Sequence, residues 1–254
     1  MARNLSLKRS VVAFAFAAAT AGSVGLAHAA PVNVTIDSII GKWTSVSGAP
    51  SNLSGVNIPS DPVPDPDSPA EIRWGTPSPS GGQQSGYAFT PEDTPHPTGA
   101  PPGFLVDEIF TLGEFTHFNF PISSGTSITS ATLEVEIGGT VDNGLPPESF
   151  VLTSVFNFDH NETPNDPGPP ASNDIVTPTL NLGASESVFF GGTEYVFSTT
   201  GFDVGDFFST PEGQASRANL FGTFTQVPVP VPATFALLGV GLIGLGVAAR
   251  RRRS

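Results

Sequence analysis

Between residues 128 and 137 the chain alternates: Leu133, Val135 and Ile137 are apolar, while Thr132, Glu134 and Glu136 are polar. A period of two puts one set on a buried face and the other in water, which predicts a half-buried strand. Residues 150–158 repeat the pattern, with Phe150, Leu152, Ser154, Phe156 and Phe158 on one side. Residues 34–46 predict a first strand or strand pair anchored by Val34, Ile36 and Trp43, and residues 72–75 and 87–89 predict two shorter strands. Residues 107–111 lead through Gly113 into 114–121. There Phe115, His117 and Asn119 share one face and Thr116, Phe118 and Phe120 the other; the paired phenylalanines predict the second face as the inward one. Strands at 187–190, 194–198 and 220–225 complete the set. Before residue 230 no 3.6-residue period persists over ten residues, so no long helix is expected.

The fold class is therefore all-β, an antiparallel β-sandwich of jelly-roll type over residues 30–226. The chain's 26 prolines and 28 glycines punctuate the short strands as a sandwich requires. Proline cannot donate to a sheet ladder, so three proline-rich stretches (59–69, 91–102 and 164–178) are expected as surface loops. The first alternates acid and proline through Asp61, Asp65 and Asp67, which suits an extended spacer or a carboxylate-lined cation site. No fixed-period repeat suggests a solenoid or propeller.

Both ends depart from this pattern. Residues 1–30 hold Arg3, Lys8 and Arg9, an apolar run from 11 to 19, and a small-residue stretch ending in Ala27, Ala29 and Ala30. That is a signal peptide, with cleavage expected after Ala29 or after Ala30; the Sec translocon and signal peptidase are the implied partners. At the other end, residues 227–232 alternate Val and Pro, favouring an extended polyproline-like spacer. Residues 233–249 are uncharged and largely apolar; as a helix they span roughly 26 Å, just short of a hydrocarbon core. Arg250, Arg251, Arg252 and Arg253 follow directly and are retained in the cytoplasm. The expected topology is a body exported to the periplasm and a tail helix anchored in the inner membrane.

The charge balance sharpens once the ends are set aside. Seven of the ten Lys and Arg lie in the terminal segments, leaving Lys42, Arg73 and Arg217 against all 23 acids. So acidic a body does not suit nucleic acid, whose binders present a basic face; high solubility, divalent cations or a hydrated matrix all suit it. There is no cysteine, although exported chains have access to disulfides. Thiolate metal sites and cysteine nucleophiles are excluded, and stability must come from core burial or bound ions.

The ordered C-terminal parts from Val229 to Arg253 resemble the PEP-CTERM sorting signal of Gram-negative bacteria. The likeness lies in Val229-Pro230-Val231-Pro232, then Ala-Thr-Phe-Ala-Leu-Leu-Gly at 233–239, then a glycine-spaced apolar stretch and the arginine run. The family's Pro-Glu-Pro falls on Pro230, Val231 and Pro232, so valine stands in the place of the glutamate; a related Val-Pro-Leu-Pro-Ala variant is also similar. The resemblance implies recognition by an exosortase, a transpeptidase-like membrane enzyme, and delivery to the cell surface or exopolysaccharide. A second resemblance lies between residues 72 and 165, in Ile72-Arg73-Trp74-Gly75-Thr76-Pro77, Gln84-Ser85-Gly86, the block from Leu112 through His117 to Asn119, and His160-Asn161-Glu162-Thr163-Pro164-Asn165. These blocks look like the choice-of-anchor K domain, which takes alternative anchors and implies no assigned biochemical activity.

Motifs for catalysis are absent: there is no G-x-S-x-G, no H-E-x-x-H and no phosphate-binding glycine loop. Three histidines remain in the mature region, of which His96, in a proline-rich loop, is the poorest candidate. Asp159, Asn161, Glu162, Asn165 and Asp166 offer oxygen ligands of the kind calcium takes, with His117 and Asn119 as further ligand residues. The alternative is a strand-edge hydrogen-bond network with Asx-turns at Asn161 and Asn165, and the residue types favour it. Trp43, Trp74 and Tyr87 could bind sugar if exposed, and otherwise pack in the core. Among these, Trp74 joins His117 and Asn119 as a candidate ligand-binding residue.

The expected function is that of a non-enzymatic surface or exopolysaccharide-matrix protein, sorted and processed by an exosortase. Alternatives are a calcium-dependent carbohydrate-binding or adhesion module and a secreted hydrolase. No cofactor is expected beyond Ca²⁺. The implied partners are the export machinery, an exosortase, the inner membrane and exopolysaccharide, with no nucleic acid.

Overall fold

The computed structural model describes residues 33–58, 69–93, 104–142, 146–165, 172–180, 186–190 and 193–227. The predicted signal peptide with Ala27, Ala29 and Ala30, most of the first two proline-rich loops with His96, and Asp166 lie outside them. So do Val229 to Pro232, the predicted anchor helix and Arg250 to Arg253. Every regular element among the described residues is a strand, and no helix long and apolar enough to cross a membrane is found among them.

Two antiparallel sheets form the sandwich. The first runs, in spatial order, β12 (Phe208–Thr210), β9 (Asp174–Leu180), β8 (Glu148–Asn161), β7 (Ile128–Asp142), β1 (Asn33–Gly48) and β5 (Phe104–Leu105). The second runs β10 (Ser187–Phe190), β11 (Thr193–Phe202), β13 (Gln214–Gln226), β6 (Ile109–Asn119), β4 (Ser85–Pro91), β3 (Ala70–Trp74) and β2 (Ser54–Val56). The alternation behaves as expected in β7 and β8. Leu133, Val135 and Ile137 are buried, as are Leu152, Phe156 and Phe158 on the facing register.

In β1 and β6 a bulge exchanges the inward parity partway along the strand. In β1 the ladder to β7 slips between Ile36 and Ser38. Val34 and Ile36 therefore point inward before the slip, and Ile39 and Trp43 after it; Val34, Ile36 and Trp43 are all fully buried. One extra residue is enough to exchange the two faces of a strand. In β6 the slip falls where Leu220 opposes Gly113 and Phe221 opposes Thr111. Phe110 and Leu112 are inward before it, and Phe115, His117 and Asn119 after it. The inward assignment of Phe118 and Phe120 is thus corrected: both are half-buried on the outer face, with the Arg73 guanidinium 3.7 Å from the Phe118 ring centre. Gly113 cannot carry a side chain here, because a Cβ would meet the Thr90 carbonyl and the Phe89 ring at 2.5 and 2.7 Å.

The third proline-rich stretch is also corrected in part, since its end forms β9 and Pro178 sits opposite Phe158 of β8. At that point β9 has left the short strand β12, which pairs only with Asp174 to Val176. An open flank is the setting in which a strand tolerates proline.

Between the sheets lies an aromatic core. Phe115 stacks on Phe158 across the sandwich at 4.6 Å, and Trp43 packs against both Phe158 and Tyr87. The Trp43 indole N–H donates to the Ala70 carbonyl at 3.0 Å, so the one polar atom of this buried ring is satisfied.

Candidate metal centre

At one end of the core the inward positions turn polar. Register places Tyr87 of β4 beside His117 of β6, and Thr210 of β12 beside Asp174 at the start of β9. His160 occupies the next inward position of β8 after Phe158, paired with Val176. The bulge at Gly113 brings His117 and Asn119 inward; without that change of parity both would face water. His117 and His160 meet edge to face across the two sheets at 5.5 Å.

Each polar group is held from behind. The His117 Nδ1 lies 2.7 Å from the Thr210 hydroxyl, and the His160 Nδ1 lies 2.7 Å from the Tyr87 hydroxyl. Asp174 Oδ1 accepts from the Thr163 backbone N–H at 2.9 Å and from its hydroxyl at 3.3 Å. Asn119 donates to the Thr210 carbonyl at 2.8 Å and to the Ser172 carbonyl at 3.4 Å. In front, His160 Nε2 approaches Glu162 Oε2 at 3.3 Å and Asp174 Oδ2 at 3.8 Å. Ligand atoms of His117, His160 and Asp174 all lie within 4.8 Å of one another. His117 Nε2 and Asp174 Oδ2 have no hydrogen-bond partner among the described residues.

Burial governs the electrostatics. It pushes the Asp174 carboxyl up to about 8, with the Glu162 charge adding and the Thr163 bonds opposing. Burial first and His160 second hold His117 well below the ordinary imidazole range. Tyr87 is raised well above the usual phenol value, by burial first and then by the charges of Asp174, Glu162 and Asp159. The described arginines are engaged elsewhere, Arg73 with Glu71 and Arg217 with Glu114.

The cluster reaches the surface only through Glu162 among the described residues. His160 and Glu162 line a cleft of about 730 Å³, together with Ser127, Ile128, Thr163 and Asn165. Ser127 donates to Glu162 Oε2 at 3.0 Å, which aims that carboxylate toward His160. The Glu162 side chain is 21% exposed, so it bridges the buried cluster and the cleft.

The residues expected from sequence separate into two groups. His117, Asn119 and Glu162 converge here. Asp159 and Asn161 are exposed and, being of opposite parity, lie on the other side of β8 from His160. Asn165 donates to the Ile122 carbonyl at 3.0 Å. Trp74, Tyr87 and Trp43 are fully buried, and Trp74 packs edge-on to His160 at 5.3 Å. Sequence reasoning missed Asp174, placed in a loop, and Thr210; it named His160 only as the opening of a block. The available signal was the alternation itself, since His160 continues the inward series of Phe156 and Phe158.

The fold and this interior define an all-β sandwich carrying a His–His–carboxylate cluster between its sheets. A comparison with protein families adds the tail: residues 228–253 match the PEP-CTERM protein-sorting motif. That motif indicates exosortase-dependent sorting to the cell surface, with export and transient membrane anchoring before processing. A search of curated proteins finds no match to the chain.

Proposed function

We propose that this chain is a non-enzymatic surface or exopolysaccharide-matrix protein whose β-sandwich, residues 30–226, is released from its anchor by an exosortase cutting near Val229 to Pro232. The observation that carries the reading is the sorting motif at 228–253, joined directly to a last strand that ends at Gln226. Supporting it, the mature part is strongly acidic, with three basic residues against 23 acids, a surface that suits a hydrated matrix. We further read Pro230-Val231-Pro232 as a variant of the motif in which valine replaces glutamate, and the blocks between 72 and 165 as a choice-of-anchor K-like domain. The signal peptide at 1–29 supplies the entry to the Sec pathway.

The test is fractionation of a Gram-negative host that carries an exosortase, with the full chain tagged inside the β-domain. Wild type is expected to leave the inner membrane shortened by its tail and to reach the surface or medium. In an exosortase-deletion strain the full-length chain is expected to stay in the inner membrane. Equal processing in both strains would overturn the proposal. Val231→Glu is expected to accelerate tail removal in pulse-chase labelling.

A further inference from the structure

We propose that His117, His160, Asp174 and Glu162 form a binding site for one divalent transition-metal ion of the zinc class, which staples the two sheets of the sandwich together. The donor set is two imidazoles and two carboxylates; imidazole nitrogen suits zinc and its first-row neighbours, whereas calcium takes oxygen. Tetrahedral zinc with nitrogen and oxygen ligands near 2.0–2.2 Å sets neighbouring donors about 3.3 Å apart. His160 Nε2 already stands 3.3 Å from Glu162 Oε2 and 3.8 Å from Asp174 Oδ2, and the His117, His160 and Asp174 donors all fall within 4.8 Å. Closing His117, His160 and Asp174 onto an ion asks for side-chain movements on the order of an ångström, with Glu162 joining from the side of His160.

Three independent features aim this cluster at a cation rather than at itself. First, His117 Nε2 and Asp174 Oδ2 have no hydrogen-bond partner among the described residues, although both side chains are fully buried. A buried polar atom in that state demands an explanation. Second, the rear atoms are engaged as metal ligands require. With Nε2 turned to an ion, each imidazole carries its proton on Nδ1 and donates it, His117 to Thr210 and His160 to Tyr87; Thr163 holds the back of Asp174. Outer partners of this kind orient ligands and fix the tautomer. Third, the cluster is linked to the cleft by the Glu162 carboxylate, which is 21% exposed.

The ion's role follows from where its ligands originate. His117 belongs to the seven-stranded sheet, and His160 and Asp174 to the six-stranded one. An exported chain without a single cysteine has no disulfide to join its layers, and a metal bridging them supplies the same restraint. With four protein donors the site is closed, the arrangement of structural rather than catalytic zinc.

The experiment uses the full chain, purified in detergent, stripped with chelator and titrated with Zn²⁺ alone. One zinc per chain by elemental analysis is expected, with a rise of several degrees in Tm that millimolar Ca²⁺ does not reproduce. Co²⁺ in place of zinc is expected to give the visible d–d bands of a four-coordinate nitrogen–oxygen site. His117→Gln and Asp174→Asn, which preserve side-chain volume, are each expected to abolish the bands and weaken zinc at least a hundredfold. If either variant fails to fold, the wild-type stoichiometry and cobalt spectrum still decide. Zinc well below one per chain, no cobalt bands, or binding that survives both substitutions would overturn the site. Stoichiometric binding without a shift in Tm would overturn the staple.

Discussion

Tyr87→Phe removes a single oxygen and tests whether the polar end of the core is built as described. The Tyr87 ring is clamped by Trp74 at 4.8 Å, Phe115 at 5.2 Å and Trp43 at 5.5 Å, so the phenylalanine ring is expected to stay where the tyrosine was. What changes is His160. Its Nδ1 loses the 2.7 Å bond to the hydroxyl, and its side chain is fully buried, so bulk water does not replace that partner. The void left by one hydroxyl oxygen is too small to admit a water molecule. The cost is that of one orphaned buried polar group, about 1–3 kcal/mol. In a domain of this size each kcal/mol moves Tm by roughly 2–4 °C, so about 2 kcal/mol predicts a fall of roughly 4–8 °C. The assay is thermal unfolding of the full chain in excess chelator, so that folding alone is read. A second titration with Zn²⁺ is expected to show affinity lowered by roughly 10–100-fold, the usual loss when the outer partner of a metal-bound imidazole is removed. A variant whose Tm matches wild type within about a degree would refute the claim that this hydroxyl holds His160.

Two further predictions concern the frame around that site. Phe115→Ala and Phe158→Ala, which separate a pair stacked at 4.6 Å between the sheets, should each cost about 3–5 kcal/mol; urea unfolding of both singles and the double is expected to give a coupling of roughly 0.5–1.5 kcal/mol, and strict additivity would mean that the sheets do not communicate through this pair. Gly139→Ala is expected to destabilise by about 1–3 kcal/mol, because its Cβ would collide with the Thr35 carbonyl and come within 2.7 Å of the Phe150 ring; an unchanged denaturation midpoint would contradict the close approach of β1 to β7.

How legible the molecule was depends on parity. The alternations from Ala131 to Ile137 and from Phe150 to Phe158 run without slippage between β7 and β8, so their buried faces could be read directly from residue order. The same reading failed at Phe118 and Phe120, because the slip at Gly113 exchanges the two faces of β6 halfway along. Nothing local distinguishes a glycine that ends one strand from a glycine that bulges within another. Asp174 was hidden for a different reason. It stands among prolines and polar residues that predict a loop, and only pairing with β8 and β12 turns that stretch into β9.

Taken alone, residue order determined the all-β class, most of the strands, the acidic body free of cysteine, and the C-terminal sorting signal. Each of these rests on a local period or a contiguous composition, which the chain states in its own order. The meeting of His117, His160, Asp174 and Glu162 was decided only by tertiary structure. His117 and Asp174 stand far apart in sequence, on strands of different sheets, and the bulge in β6 and the packing of one sheet on the other must combine before their ligand atoms come within 4.8 Å. Pairing between sheets depends on how whole faces pack, and no local period encodes it.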